Sequence, residues 1–167
     1  MLTETVLEGP DWEGTGLAEI AERAAQAALR GAGVDPEGYE IAVLGCSDAR
    51  IATLNAEFRK KPRPTNVLSW PAWDLAPEQP GAAPDLPPPA DEDEALGDIA
   101  LAFGVCTAEA LAAGLSFDDH VTHLVVHGTL HLLGYDHETD ADALRMEALE
   151  TKILAGLGIA DPYAQEP

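Results

Sequence analysis

Positive charge is what this chain has least of. Nine Lys and Arg stand against 30 Asp and Glu in 167 residues, a formal net charge of -21. Taken alone, that balance argues against a nucleic-acid partner, because phosphate binding needs local positive charge. Cysteine is nearly absent: Cys46 and Cys106 are the two present, far apart in sequence. A disulfide framework is therefore not expected, and a reducing cytoplasm fits best. Each cysteine reads as a small buried residue rather than a metal ligand. There is no run of about 18 or more apolar residues, so no membrane span is expected. The opening "MLTETVLEGPDWEG" has early acids and no basic n-region, and does not read as a signal peptide. Histidine is also scarce, and all five lie between positions 120 and 137.

The chain is 46% hydrophobic, which suits one domain with one sizeable core. The few cations are not evenly spread. Five of the nine sit between positions 50 and 63: Arg50, Arg59, Lys60, Lys61 and Arg63. They form either a solvated loop balancing nearby acids or an anion-binding edge on an acidic body. Much of the negative charge lies elsewhere, as in "DEDE" at 91–94 and "ETDAD" at 138–142.

Periodicity predicts the elements. "TETVLE" (3–8) and "YEIAVLGC" (39–46) read as strands. Residues 15–33 carry apolar residues at helical spacing and end in glycines, with Thr15 as the expected cap. Residues 47–59 read as a second helix, capped by Ser47, with Ile51, Leu54 and Phe58 on one face. "PTNVLSWP" (64–71) has β-formers between prolines, which favours an edge strand. Residues 71–96 are rich in proline, alanine and acid and read as an exposed, partly disordered loop inserted in a hairpin. "GDIALAF" (97–103) resumes as a strand. Helices follow at 106–114, at 116–134 with Ser116 as cap, and at 139–158. The expected fold is one α+β domain over residues 1–167, a small mixed sheet of about four strands with about five helices.

The histidines carry the chemistry. At about 100° per residue, His120, His123, His127 and His131 fall within roughly an 80° arc of one helix. Apolar residues flank that arc on both sides: Val121, Val125 and Leu132 on one, Val126, Leu130 and Leu133 on the other. Such a helix is buried, and each imidazole on it needs partners for two ring nitrogens. His127 and His131 are four apart, so their rings project together from adjacent turns. Gly134 lets the chain double back, bringing His137 up as a third ligand. Three imidazoles at about 2.0–2.1 Å suit one zinc ion and leave a fourth position for water. That arrangement supports hydrolysis. His123 reads as a neighbour of the ligands, an RNA contact or a structural histidine, and His120 as structural or solvent-facing. Asp136 reads as orienting a ligand ring or capping the turn.

The spacing is that of the metzincin proteases, H-E-x-x-H-x-x-G-x-x-H, except that their catalytic glutamate is Gly128 here. Without it a peptidase lacks its acid–base residue. Met146 lies inside an amphipathic helix and reads as core. "HLVVHGTLHLLGYDH" (123–137) resembles the signature of the YbeY family, bacterial endoribonucleases and ribosomal RNA maturation factors. "LNAEFRKKPRPTNVLSWP" (54–71) and "LGDIALAF" (96–103) resemble two further blocks of that family, in its order. Two departures stand out. The family often has Thr-Asp where this chain has Thr65-Asn66, and the 71–96 insert is longer than the family's.

The resemblance implies one zinc ion held by His127, His131 and His137, and a functional Arg59 pairing with a phosphate. Lys60, Lys61 and Arg63 would extend an RNA-facing edge. It also implies a single-strand-specific, cytoplasmic endoribonuclease acting in maturation of the 16S ribosomal RNA 3′ end and in ribosome quality control. Its implied partners are ribosomal RNA, the small ribosomal subunit and a ribosome-associated GTPase. Two alternatives remain: a zinc peptidase-like hydrolase, and a non-enzymatic ribosome assembly factor whose zinc is structural.

Overall fold

The computed structural model describes residues 1–61, 63–90 and 94–163, without the side chain of Arg59. Strands are β1 (Thr3–Leu7), β2 (Tyr39–Cys46), β3 (Val67–Pro71) and β4 (Glu94–Ala102). Helices are α1 (Leu17–Gly31), α2 (Asp48–Arg59), α3 (Phe103–Ala113), α4 (Phe117–Leu132) and α5 (Asp140–Gly156). The four strands form one sheet in the order β1-β2-β4-β3. β1 and β4 run parallel to β2, and β3 runs antiparallel to β4. The α+β expectation, a mixed sheet with five helices, is what the chain forms. β3 lies at a sheet edge, as its flanking prolines require.

Alternation along the strands feeds two cores. Ile41, Val43, Leu96, Ile99 and Leu101 join the main core with α1, α4 and α5. Cys46, Leu68, Ala100 and Ala102 pack with Ile51 of α2 in a smaller one. α4 is almost enclosed: between Val121 and Leu132, only His123, His127 and His131 are not buried. The histidine stripe is thus the one open side of an otherwise buried helix.

Two local expectations need correction. α1 is not capped by Thr15: Gly16, at φ 76°, is its N-cap, and the Thr15 hydroxyl donates to the Trp12 carbonyl at 2.7 Å. The reason is a short 3-10 turn, Pro10–Trp12, which drives Trp12 into the core and its indole N–H onto the Cys46 carbonyl. Phe58 does not share the buried face of Ile51. It is 62% exposed and meets Trp70 edge-on, with ring centroids 5.6 Å apart. The 72–90 excursion between β3 and β4 is a largely exposed loop that is tied down at several points. Leu75 is buried, the Asp142 carboxylate accepts the Gly81 N–H at 2.7 Å, and Arg145 donates to the Gly81 carbonyl at 2.8 Å. The Tyr39 hydroxyl donates to the Pro88 carbonyl.

The free cysteines are both buried, and burial pushes the thiols up to about 11 for Cys46 and about 12 for Cys106. They are packing residues, not nucleophiles. No helix among the described residues is long and apolar enough to cross a membrane.

Glu22 of α1 ties down the first strand. Its carboxylate accepts the N–H of Leu2 at 3.0 Å, and the N–H and hydroxyl of Thr3 at 2.9 Å each. Burial alone would raise its pKa, but hydrogen bonds from Thr3, Gln26 and Leu2 bring it from 4.5 to about 2. A carboxylate depressed by folding contributes stability that is complete above the unfolded pKa and lost as pH falls through the folded one. Glu22→Gln is therefore expected to lower Tm at pH 7 by a few degrees, at about 2–4 °C per kcal/mol. It should also weaken the dependence of Tm on pH between 4.5 and about 2. Thermal melts of both proteins across that range check it; parallel curves would refute it.

Candidate metal centre

α4 begins at Ser116, whose hydroxyl accepts the Asp119 N–H, and ends where Gly134 adopts φ 99°. That conformation is open to glycine and strained for other residues. Space imposes the same choice: a Cβ on Gly134 would sit 2.7 Å from the backbone carbon and oxygen of Leu75. The turn therefore folds back tightly beneath the excursion and delivers His137 to the face that carries His127 and His131. Gly134→Ala is expected to cost about 2–4 kcal/mol and to weaken metal binding at the histidines, measurable by thermal melting and metal titration. A variant with unchanged Tm and metal affinity would show that the turn tolerates a side chain.

The ring centroids of His127, His131 and His137 are 4.5, 5.5 and 5.2 Å apart in pairs. One nitrogen from each can be chosen so that all three lie within 4.8 Å of one another. The partners of the other nitrogens set the tautomers. His127 Nδ1 donates to the Glu150 carboxylate, and His131 Nδ1 donates to the Tyr135 carbonyl at 2.9 Å. With both rings neutral, each Nε2 is a lone pair, and the two face each other at 3.0 Å. Two acceptors so placed repel unless an electrophile lies between them. Tetrahedral zinc with ligands at 2.0–2.1 Å would hold its nitrogens about 3.3 Å apart. The donor set thus fits a metal ion, and His137, the most exposed of the three, closes the third side. Burial first, then the neighbouring His127 and His137, lowers the His131 pKa to about 4, so the ring is neutral and ligand-ready at neutral pH.

Glu150 of α5 escapes a reading of the histidine motif. It is fully buried, with one carboxylate oxygen on His127 Nδ1 and the other accepting the Tyr163 hydroxyl. Burial opposes its charge, but His123, His127 and Tyr163 outweigh that and hold the carboxyl at about 2. It is a carboxylate that orients and polarises a candidate ligand histidine. Its signal was in the sequence: Met146, Glu150, Ile153 and Leu154 follow helical spacing and are all buried. An acid inside an apolar stripe needs a partner.

The other expected residues fall as follows. His123 Nε2 lies 3.5 Å from the Tyr163 hydroxyl and 3.9 Å from Glu150, beside the network rather than in the ligand cluster. Asp136 accepts the His137 backbone N–H at 2.6 Å, while its carboxylate is 3.9 Å from the ring nitrogen. It therefore braces the turn. His120 pairs with Glu109 at 2.9 Å, and the Asn66 amide donates to the same carboxylate oxygen at 3.0 Å. An aspartate at position 66 would instead face Glu109 with like charge. Arg59 is the last residue of α2, with its side chain outside the described structure; Lys60 follows in the left-handed conformation as C-cap. Lys60, Lys61 and Arg63 are exposed. Met146 is core, 1% exposed. Gly128 is buried against β4, and a Cβ there would approach Ile99 to 3.3 Å. A side chain at 128 would point at the sheet and have to displace Ile99, away from the histidine face where a protease-type base is needed.

Residues 10–158 match the family described as endoribonuclease YbeY. The chain is 59% identical over 167 residues to the endoribonuclease YbeY of Ruegeria pomeroyi, covering 99% of this chain and 100% of that protein. It is 58% identical over 161 residues to the endoribonuclease YbeY of Dinoroseobacter shibae, covering 96% and 89%. Its fold is similar to the solution structure of a Thermotoga maritima protein, with TM-score 0.55 and 20% identity over 98% of this chain and 100% of that one.

Proposed function

This chain belongs to the endoribonuclease YbeY family, and from that premise we propose that it is a zinc-dependent endoribonuclease specific for single-stranded RNA. Its place would be maturation of the 16S ribosomal RNA 3′ end and ribosome quality control in the cytoplasm. The small ribosomal subunit and a ribosome-associated GTPase would be its partners. The observation that carries the reading is the cluster of His127, His131 and His137, with the Nε2 atoms of the first two 3.0 Å apart.

His127, His131 and His137 would hold the ion. Zinc bound there supplies a Lewis acid and activates water near neutral pH. The chain's own residues do the rest. Glu150 and the Tyr135 carbonyl keep the two ligand rings in the tautomer that points Nε2 inward. Arg59 is assigned to the phosphate, where a guanidinium pairs bidentately and offsets the charge of five-coordinate phosphorus. Lys60, Lys61 and Arg63 follow it and supply the local positive charge that the acidic body lacks. A closed structural zinc is disfavoured, because the ligand cluster has three members among the described residues. Of the fourth-ligand candidates, Asp136 holds the His137 N–H with one oxygen and His123 lies against Tyr163, and neither joins the ligand cluster.

The test is cleavage of end-labelled single-stranded ribosomal RNA by purified protein. Internal cuts that vanish with a chelator and return with zinc are expected. A zinc-loaded protein that leaves the RNA intact would refute the proposal. Fragments ending in a 2′,3′-cyclic phosphate would assign attack to the RNA 2′-hydroxyl rather than to water.

A further inference from the structure

Against His131 lies a cavity of about 380 Å³ that the metal chemistry does not use. The turn at Gly134–Asp136 forms one wall, and Ser69 with residues 71–76 of the excursion forms the other. Its volume is at the lower end of small-molecule sites, enough for one nucleoside and too small for a duplex. A group that fills it lies beside whatever binds at the histidines.

Three features say which part of a nucleotide belongs there. The first is charge: Asp74 and Asp136 line the cavity, and no lysine or arginine does among the described lining residues. A phosphate would be repelled, whereas the neutral base of the same nucleotide would not. The second is hydrogen bonding. Carboxylates only accept, so they favour a base edge that donates through an exocyclic amine, as cytosine, adenine and guanine do. Uracil has one ring N–H flanked by two carbonyl oxygens and is disfavoured. The third is stacking. Trp73 is 40% exposed, and its indole N–H is held by the Ala95 carbonyl at 3.2 Å. A ring oriented by a backbone bond is a platform for a base.

We propose that this cavity, built by the Pro-rich excursion beside His131, is a subsite for the base adjoining the scissile phosphodiester, and that it prefers amino-bearing bases over uracil. The excursion is then a specificity element, a role its composition does not disclose. The substrate half of this inference rests on the endoribonuclease reading; base binding can be measured without it.

The test is anisotropy of labelled 2′-O-methyl oligonucleotides, which cannot be cut through the 2′-hydroxyl and whose length is checked after each titration, with zinc-loaded protein. Wild type is expected to bind oligo-C about tenfold more tightly than oligo-U. Trp73→Ala should weaken both by roughly five- to hundredfold. Asp74→Asn, nearly isosteric and outside the ligand cluster, should remove most of the C-over-U preference. Equal binding of the two oligomers by wild type, or a preference untouched by Asp74→Asn, overturns the subsite. If those results come from a protein that cuts ribosomal RNA, the subsite alone fails. If the variants behave as expected but no RNA is cut, the nuclease reading fails and the base site stands.

Discussion

His131→Ala is expected to abolish RNA cleavage and strip the protein of stoichiometric zinc while leaving its fold in place. Structural zinc in small domains is held by about 10–16 kcal/mol. If three imidazoles share a comparable total, losing one removes several kcal/mol, and affinity falls at least a hundredfold. The fold should survive, because the His131 ring lies on the one open side of α4 and its partners are the Tyr135 carbonyl and His127. It takes no part in either apolar core. Zinc per chain by elemental analysis, circular dichroism and the RNA assay on parallel preparations would check all three statements. Equal cleavage by wild type and variant would trace the activity to a contaminating nuclease. A variant that retains one zinc per chain would show that the metal centre is elsewhere.

Glu150 should matter almost as much, through His127. Its two oxygens receive two donors, the His127 ring N–H and the Tyr163 hydroxyl. Glutamine has the same shape but offers one acceptor, and its amide nitrogen would face a donor. Glu150→Gln is therefore expected to weaken zinc about 10–100-fold, the usual cost of losing a carboxylate behind a ligand histidine. Glu150→Ala goes further, since it removes the acceptor that His127 and Tyr163 share, at a cost of about 1–3 kcal/mol in stability. Zinc affinity by competition with a chelator, together with Tm measured with and without the chelator, separates the two effects. Wild-type zinc affinity in Glu150→Gln would show that the carboxylate serves packing alone.

Much of this protein is written in local pattern. The spacing His127-x3-His131 places two rings on adjacent turns wherever the segment is helical. Gly134 then permits the reversal that returns His137. Ser47, Ser116 and Thr139 all cap the helices that follow them, each accepting a backbone N–H three residues on. β3 lies at the edge because proline cannot sit inside a ladder. These are consequences of bond geometry within a few residues, so no distant contact can easily overrule them.

What tertiary structure decided are the partners that come from far along the chain. Glu150 reaches His127 across 23 positions, and α5 had to dock on α4 before that acid acquired a role. Gly128 shows its meaning only against Ile99, which makes the missing protease glutamate a matter of space as well as of sequence. Thr15 lost its cap to a turn that buries Trp12, and Phe58 stayed exposed, edge-on to Trp70 rather than in the core. The excursion after β3 has the composition of a disordered loop, yet Asp142, Arg145 and the close approach of Leu75 to Gly134 tie it beside the histidines. Composition sums over a segment and is blind to single long-range hydrogen bonds. Those bonds turned a proline-rich insert into one wall of a cavity next to the candidate metal centre.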